Sequence, residues 1–294
     1  MLQMVQTSNP DRAVPTRRIS FEESLADLPK HFAGDGNVLA SHIISVLSSL
    51  FPDGEDFFVR SVRNYRDQIT DPVLKRQVAG FIGQESVHGR EHRVLNDRLA
   101  ELGYSTQFGE KVTFALMKFV DATAPKIGRL AVTAAVEHFT ATLGELVLRD
   151  AELRDTIGTS AVREVFEWHA LEETEHKAVA FDVFRAVGGS EFRRRLGMRI
   201  VRPGFVVLVT VLVALSLLRD PSFWRPKNLK AAWGLRHTSL FSKQTWRTLK
   251  AYDKRGFHPD DFDTDELCAT WRAELFGREG YLNDKLAGAG AAAA

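Results

Sequence analysis

A chain of 294 residues with 44% hydrophobic and 26% charged content specifies a folded globular protein and excludes wholesale disorder. Its formal net charge of +1 provides no global field for nucleic acid or an acidic partner. The one cysteine, Cys268, excludes an intramolecular disulfide and fits a reducing, cytoplasmic compartment, and Met1–Pro10 lacks the basic-then-apolar pattern of a secretory signal.

Residues 1–36 are polar and carry Pro10, Pro15, Pro29, Gly34 and Gly36. They read as an extended arm, free or packed on the body, with a solvated Arg17–Arg18 pair. Asn37 is a candidate N-cap for a first helix that runs to Tyr65, with Leu39, Ile43, Val46, Leu50, Phe58 and Val62 at helical spacing. Pro52 and Gly54 predict a kink or restart just before Glu55. Asp71–Pro72 caps a second helix that extends to Leu102 and stops at Gly103. This helix carries Glu85, His88 and His92 at i, i+3 and i+7; Glu91 and Arg93 point elsewhere and read as solvated. Phe108, Phe114, Leu116, Met117 and Phe119 lie in a helical crossover and read as core. A third helix, Lys126 to Leu153, places Glu137 among Ala134, Ala135 and Ala141. A carboxylate on such a face must pair, protonate or bind metal. His138 faces about 100° away and is not counted as a ligand, and Glu145 reads as surface or support. A fourth helix runs from about Ser160 to Val187.

That fourth helix contains His169, Glu173 and His176 at i, i+4 and i+7, within roughly 60° of one another around its axis. A carboxylate and an imidazole one turn apart can share a metal ion. Glu85-x-x-His88 repeats the pattern, and Glu55 and Glu137 supply one lone glutamate from each remaining helix. The spacings from Glu55 to Glu85 and from Glu137 to Glu173 each fit a helical hairpin. The longer gap between Glu85 and Glu137 fits the crossover. The expected metal ligands are therefore Glu55, Glu85, His88, Glu137, His169, Glu173 and His176, with Glu137 read as bridging. Such a carboxylate and imidazole set suits two iron ions, with manganese as the alternative. His92 is expected beside the site, as a donor to a carboxylate or on the substrate side.

Beyond residue 190 comes a basic cluster of Arg193, Arg194, Arg195, Arg199 and Arg202, then Pro203–Gly204 and an uncharged run from Phe205 to Leu218. Fourteen residues fall short of a bilayer span of about 20. The run is either a buried helix or a monotopic membrane segment, flanked by arginines and by Phe223 and Trp224. Leu229 to Tyr252 is basic and amphipathic. His258, beside Pro259, reads as structural, and an Ala/Gly tail from Ala287 reads as disordered. The expected organisation is an arm at 1–36, a four-helix bundle at 37–190, a helical appendage at 191–286 and a tail at 287–294. No phosphate-binding loop, nucleophile elbow or zinc-type cysteine cluster occurs.

The order Glu55, Glu85-x-x-His88, Glu137, Glu173-x-x-His176 resembles ferritin-like di-iron proteins over about residues 37–188. It implies an all-α, ferritin-like four-helix bundle with a crossover. His169-x3-Glu173-x2-His176 resembles the di-iron arylamine N-oxygenases, in which the additional histidine is a seventh ligand. Soluble di-iron oxygenases often carry an Asp just before each helix-borne Glu ligand, bonded to the opposite His; here those positions hold Gln84 and Glu172. The chain as a whole resembles a bacterial family described as predicted metal-dependent hydrolases. Phe51-Pro-Asp-Gly-Glu55, Glu172 to Asp182 and Gly256-Phe-His-Pro259 carry that likeness. The expected function is a di-iron oxidase or oxygenase acting with O2 and an unidentified electron donor on a small apolar substrate, lipid-derived if the appendage meets membrane. Two alternatives stand beside it: a metal-dependent hydrolase using a metal-bound water, and a non-catalytic iron-binding or storage protein. A membrane surface at its inner face and a homodimer both stay open as partners.

Overall fold

The computed structural model describes residues 12–158, 160–234 and 237–287. Among them the chain is all-α, with no strand and a single isolated antiparallel bridge between Ile19 and Leu286. Helix α1 spans Val38–Arg63, and the Asn37 side chain caps it by accepting from the Ala40 amide. The expected break at Pro52 does not occur. Proline removes the amide that would bond the Ser48 carbonyl. Asn96 Nδ2, from the next helix, donates to that carbonyl at 3.2 Å, so the vacated acceptor is satisfied and α1 continues.

Helix α2 spans Pro72–Glu101, capped by Asp71 and closed by Gly103 at φ 93°. The crossover is α3, Thr106–Thr123. Its Phe108, Phe114, Leu116 and Phe119 are exposed, contrary to the core role expected of them. Helix α4, Lys126–Arg149, stops short of Leu153 because Asp150 caps the short α5, Ala151–Ile157, by accepting from the Leu153 amide. The fourth bundle helix is also divided, into α6, Ser160–His176, and α7, Val179–Ala186. Buried Lys177 occupies the break, with its ammonium on the Phe262 carbonyl and 3.7 Å from Glu145. Helix α8 spans Glu191–Leu218 and runs unbroken through Pro203; α9 (Pro226–Gly234), α10 (Lys243–Ala251) and α11 (Asp265–Phe276) follow.

Helix α1 packs chiefly on α2, and α4 on α6. Ser48 meets Asn96 while Pro52 and Glu55 approach Gly89, so α1 and α2 run antiparallel. His92 meets His169, His88 meets Glu172 and Gln84 meets His176, so α2 and α6 are antiparallel too. Two apolar clusters lie along these helices. One holds Leu95, Leu99 and Trp168; the other holds Phe57, Phe81, Val179 and Phe184. On both α2 and α6 the candidate ligands fall between the two clusters, in a polar layer closed at each end by hydrocarbon.

The arm packs on the body, and of the two arginines only Arg18 is exposed. Phe21, Leu25 and Phe32 enter the first cluster, and Arg17 pairs with two buried glutamates of α6, Glu172 and Glu175, at 2.8 Å each. Glycines at 80 and 83 let the arm lie against α2: a Cβ at Gly80 would stand 2.0 Å from the Val14 carbonyl oxygen, and one at Gly83 2.0 Å from Thr16 Oγ1. Glu91, expected in solvent, is buried and accepts from the Phe21 amide at 2.9 Å. Gly80→Ala should therefore lift the arm and cost about 1–3 kcal/mol, the usual penalty for overpacking. The denaturant midpoint reads this; an unchanged midpoint would mean the arm contributes no packing there.

Candidate metal centre

Glu55 of α1, Glu85 and His88 of α2, Glu137 of α4, and His169, Glu173 and His176 of α6 are all buried and converge at one place. At one end, His176 Nε2 lies 3.1 Å from Glu85 Oε1, 3.4 Å from Glu137 Oε2 and 3.7 Å from Glu173 Oε2. At the other end, His169 Nε2 lies 2.9 Å from Glu173 Oε1 and 3.7 Å from Glu55 Oε1. His88 Nδ1 stands 3.9 Å from both Glu85 Oε2 and Glu173 Oε1. Glu85 and Glu173 thus direct one oxygen to each end. Glu137 groups with Glu85 and His176 at the His176 end. Its partner helix, α6, brings it beside His176.

Both oxygens of Glu55, Glu85 and Glu137, Oε2 of Glu173, Nδ1 of His88 and Nε2 of His176 are buried without a hydrogen bond among the described residues. Buried polar atoms left unsatisfied in such numbers need a ligand. Carboxylate oxygens with imidazole nitrogens form the donor set of a transition-metal cation, so the residues fit the metal that the sequence implied.

The electrostatics agree. Burial pushes Glu55 and Glu85 well above the usual carboxylate range, reinforced by the neighbouring carboxylates. Burial also raises Glu137 to about 7, against the opposing pull of His176. Burial would raise Glu173 as well, but its contacts with His169 and His176 outweigh that and hold it well below the ordinary range. His176 is disfavoured as a cation by burial, yet Glu137, Glu173 and Glu85 together raise it well above a free imidazole. Without metal, protons held by these groups stand in for the missing positive charge.

Gln84 and Glu172 support opposite histidines. Glu172 Oε2 lies 3.0 Å from His88 Nε2, leaving Nδ1 toward the centre. Gln84 Oε1 lies 2.8 Å from His176 Nδ1, leaving Nε2 toward the centre. Behind them, Glu175 accepts from Gln84, Arg17 and Arg272. The polar partners of the histidines orient the rings, as such partners do around metal sites. Burial pushes Glu172 up to about 8 despite its Arg17 partner.

His92 does not reach a carboxylate. Its Nε2 lies 2.6 Å from His169 Nδ1, and its Nδ1 lies 2.9 Å from Ser48 Oγ. The direction of this chain can be deduced. Asn96 Nδ2 faces two acceptors, the Ser48 carbonyl and Glu110 Oε1 at 2.8 Å, so Asn96 Oδ1 must accept, and Ser48 Oγ donates to it at 2.7 Å. Ser48 then accepts from His92 Nδ1–H, His92 Nε2 accepts from His169 Nδ1–H, and His169 Nε2 turns its lone pair to the centre. There it faces Glu173 Oε1 at 2.9 Å, the place a cation would take. The acceptor that starts the chain is the carbonyl freed by Pro52.

Other histidines stay apart. His258 bonds Asp182 at 2.9 Å and caps the turn after it, as its structural reading required. His138 bonds the Thr248 carbonyl at 3.1 Å and packs on Tyr252 and Phe257. Arg17, Ser48, Asn96 and Glu175 were not picked out from the sequence as parts of the site, because each acts through long-range contacts that carry no local spacing signal.

An apolar cavity of about 130 Å³ ends on His169 and Glu173. Phe51, Leu143, Val147 and Phe166 line it from the bundle, and Phe205, Leu240 and Phe241 from the residues after α7. A larger groove of about 1030 Å³ between α6 and α11 is lined by none of the ligands.

A family model described as "predicted metal-dependent hydrolase" matches residues 15–263. No curated protein and no solved structure matches the chain.

Two predictions rest on this geometry. Asn96→Leu removes the donor to the Ser48 carbonyl and frees the Ser48 hydroxyl to turn. Metal affinity should fall by about 10- to 100-fold, the usual effect of losing a partner behind a ligand, and 15N spectra should show a mixed His169 tautomer. A merely structural role would lower stability and leave the tautomer unchanged. The second concerns pH. Glu55, Glu85, Glu137 and Glu172 have folded values above the ordinary 4.5, and His176 one above 6.5. Their stabilising contributions are complete below the unfolded values and are lost as pH rises through the folded ones. Above pH 6.5 the buried histidines no longer offset this. His88 and His92, lowered by burial, are neutral in both states, and Glu173 is ionised in both. The melting temperature of chelator-stripped protein should fall between about pH 6.5 and 8.5, and bound divalent metal should abolish the fall. A flat profile without metal would contradict the charge assignment.

Proposed function

The chain belongs to the family of predicted metal-dependent hydrolases, and on that footing we propose that it is a two-metal enzyme acting on a small apolar substrate. One observation carries the reading: a cluster of buried carboxylates and imidazoles with unsatisfied atoms meets an apolar cavity through His169 and Glu173. Glu55, His88 and His169 would hold one ion, and Glu137 and His176 the other, with Glu85 and Glu173 shared between them. Bound there, the metal supplies Lewis acidity to polarise a substrate and activate water, or redox capacity if the ions are iron.

Hydrolysis is the reaction that the family description supports. The chain's part is to seat the apolar portion of the substrate against Phe51, Leu143 and Phe205, so that the reacting bond meets the His169 and Glu173 end. Glu172 and Gln84 keep His88 and His176 oriented, and the cavity wall keeps bulk water out.

Oxidation with O2 is the second reading, and two specific observations favour it. Among the described residues the cavity wall holds no carboxylate or imidazole other than His169 and Glu173, so a hydrolytic leaving group finds no separate carboxyl or imidazole proton donor there. The ligand order over four antiparallel helices also supports a ferritin-like di-iron arrangement.

Protein from its native host should carry about two ions per chain, and Glu85→Ala should lose most of both, as read by elemental analysis. Full metal retention in Glu85→Ala would sink the site. The reactions separate by atmosphere. Turnover of apolar esters or amides under strict anaerobiosis supports hydrolysis; consumption of O2 that requires a reductant supports oxidation.

A further inference from the structure

The outer face of α8 has no protein partner among the described residues. Ile200, Val207, Val211 and Leu218 recur there at helical spacing; Val207 is 61% and Leu218 64% exposed. The stripe does not stop at α8. Leu215 and Phe108 of α3 line one shallow groove, Val112 of α3 packs with Leu212 and Val213, and Arg219 Nη1 bonds Ser105 Oγ at 3.0 Å. Phe114 and Phe119 extend the exposed surface along α3, while Trp224 and Trp233 lie exposed beyond α8. Single exposed apolar residues are ordinary; a run of large ones over adjoining helices marks an interaction surface.

We propose that this face, formed by α3, α8 and the segment through α9, docks on an anionic lipid bilayer and turns the mouth of the apolar cavity toward the membrane. Charge selects the occupant. Residues 192–250 contain thirteen Lys or Arg and a single acidic residue, Asp220. Arg193, Arg199, Arg225, Lys227 and Lys230 are exposed around the apolar surface, where each can meet a lipid phosphate. A second copy of the chain would bring two such basic belts together and repel.

The helix lies on the membrane rather than across it. By length and composition α8 could cross a bilayer, but its inner face is committed to the bundle. Gly197 packs so tightly that a Cβ would stand 2.9 Å from the Ala131 carbonyl oxygen of α4, and Leu212, Val213 and Leu217 are buried against Val38, Val46 and Leu50 of α1. Crossing would strip both contacts from the core. A helix with one face in protein and the other in the acyl boundary is interfacial. Phe205 of α8 walls the cavity, so an apolar substrate could enter from the lipid. That entry route rests on the proposed function; the docking does not.

The test uses full-length, metal-loaded protein and vesicles of phosphatidylcholine with or without phosphatidylglycerol. Wild type should co-sediment with the anionic vesicles and be released by salt. Brominated lipid should quench its tryptophan emission through Trp224 and Trp233. Val207→Glu/Val211→Glu should weaken binding at least about tenfold with metal content unchanged. Lys227→Gln/Lys230→Gln should reduce only the preference for phosphatidylglycerol. If the glutamate variant misfolds, bromolipid quenching of the wild type decides alone. Wild type that remains in the supernatant with both vesicles overturns the proposal. A wild-type dimer that the glutamate variant returns to monomer would assign the face to a second copy instead.

Discussion

Four glutamates meet inside one helix bundle, and that repulsion governs the rest of the molecule. Glu55, Glu85, Glu137 and Glu173 are all buried, and water cannot screen them there. Positive charge must come from imidazolium, from protons or from a cation. His176, raised above a free imidazole by the carboxylates around it, supplies part of it, and the raised values of Glu55, Glu85 and Glu137 assign more to protons. A metal ion answers the same need with higher charge and with ligand geometry. The site is thus a source of folding free energy when filled and a liability when stripped.

Holding those groups in place takes residues far away in the chain. Arg17, from the arm, binds Glu172, which orients His88. Arg272, from α11, binds Glu175, which holds Gln84, which orients His176. The arm and α11 therefore both close over α6, and Gly80 and Gly83 of α2 give the arm room to reach it. The Pro52 device is of the same kind. A missing amide in α1 frees the Ser48 carbonyl, which orients Asn96, and through Ser48 and His92 it orients His169. A local defect in one helix sets the tautomer of a candidate ligand on another.

The segment after α7 does two things at once. Its inner residues complete the apolar cavity, and its outer residues present hydrocarbon framed by arginine and lysine. Phe205 is where these roles meet, since it lines the cavity and lies on α8. The helix can be so apolar on both sides only because one side packs against α4 and α1.

Much of the centre was legible in the sequence because helical spacing is local. Residues three, four and seven apart share a face whatever the tertiary fold, so Glu85-x-x-His88 and His169-x3-Glu173-x2-His176 announced themselves. The hairpin-sized gaps between glutamates indicated their common depth. The sequence alone also determined the all-α class, the caps at Asn37 and Asp71, the stop at Gly103 and the structural role of His258. It misjudged Pro52, Arg17, Glu91 and the crossover aromatics, because each depends on what another element brings near. Whether a proline breaks a helix depends on whether a donor such as Asn96 replaces the lost amide. Whether an arginine is solvated depends on whether glycines elsewhere leave its strand of chain room to pack. Which carboxylate spans both ends of the centre is a matter of ångströms between helices; periodicity assigns a face, and only packing assigns the distance.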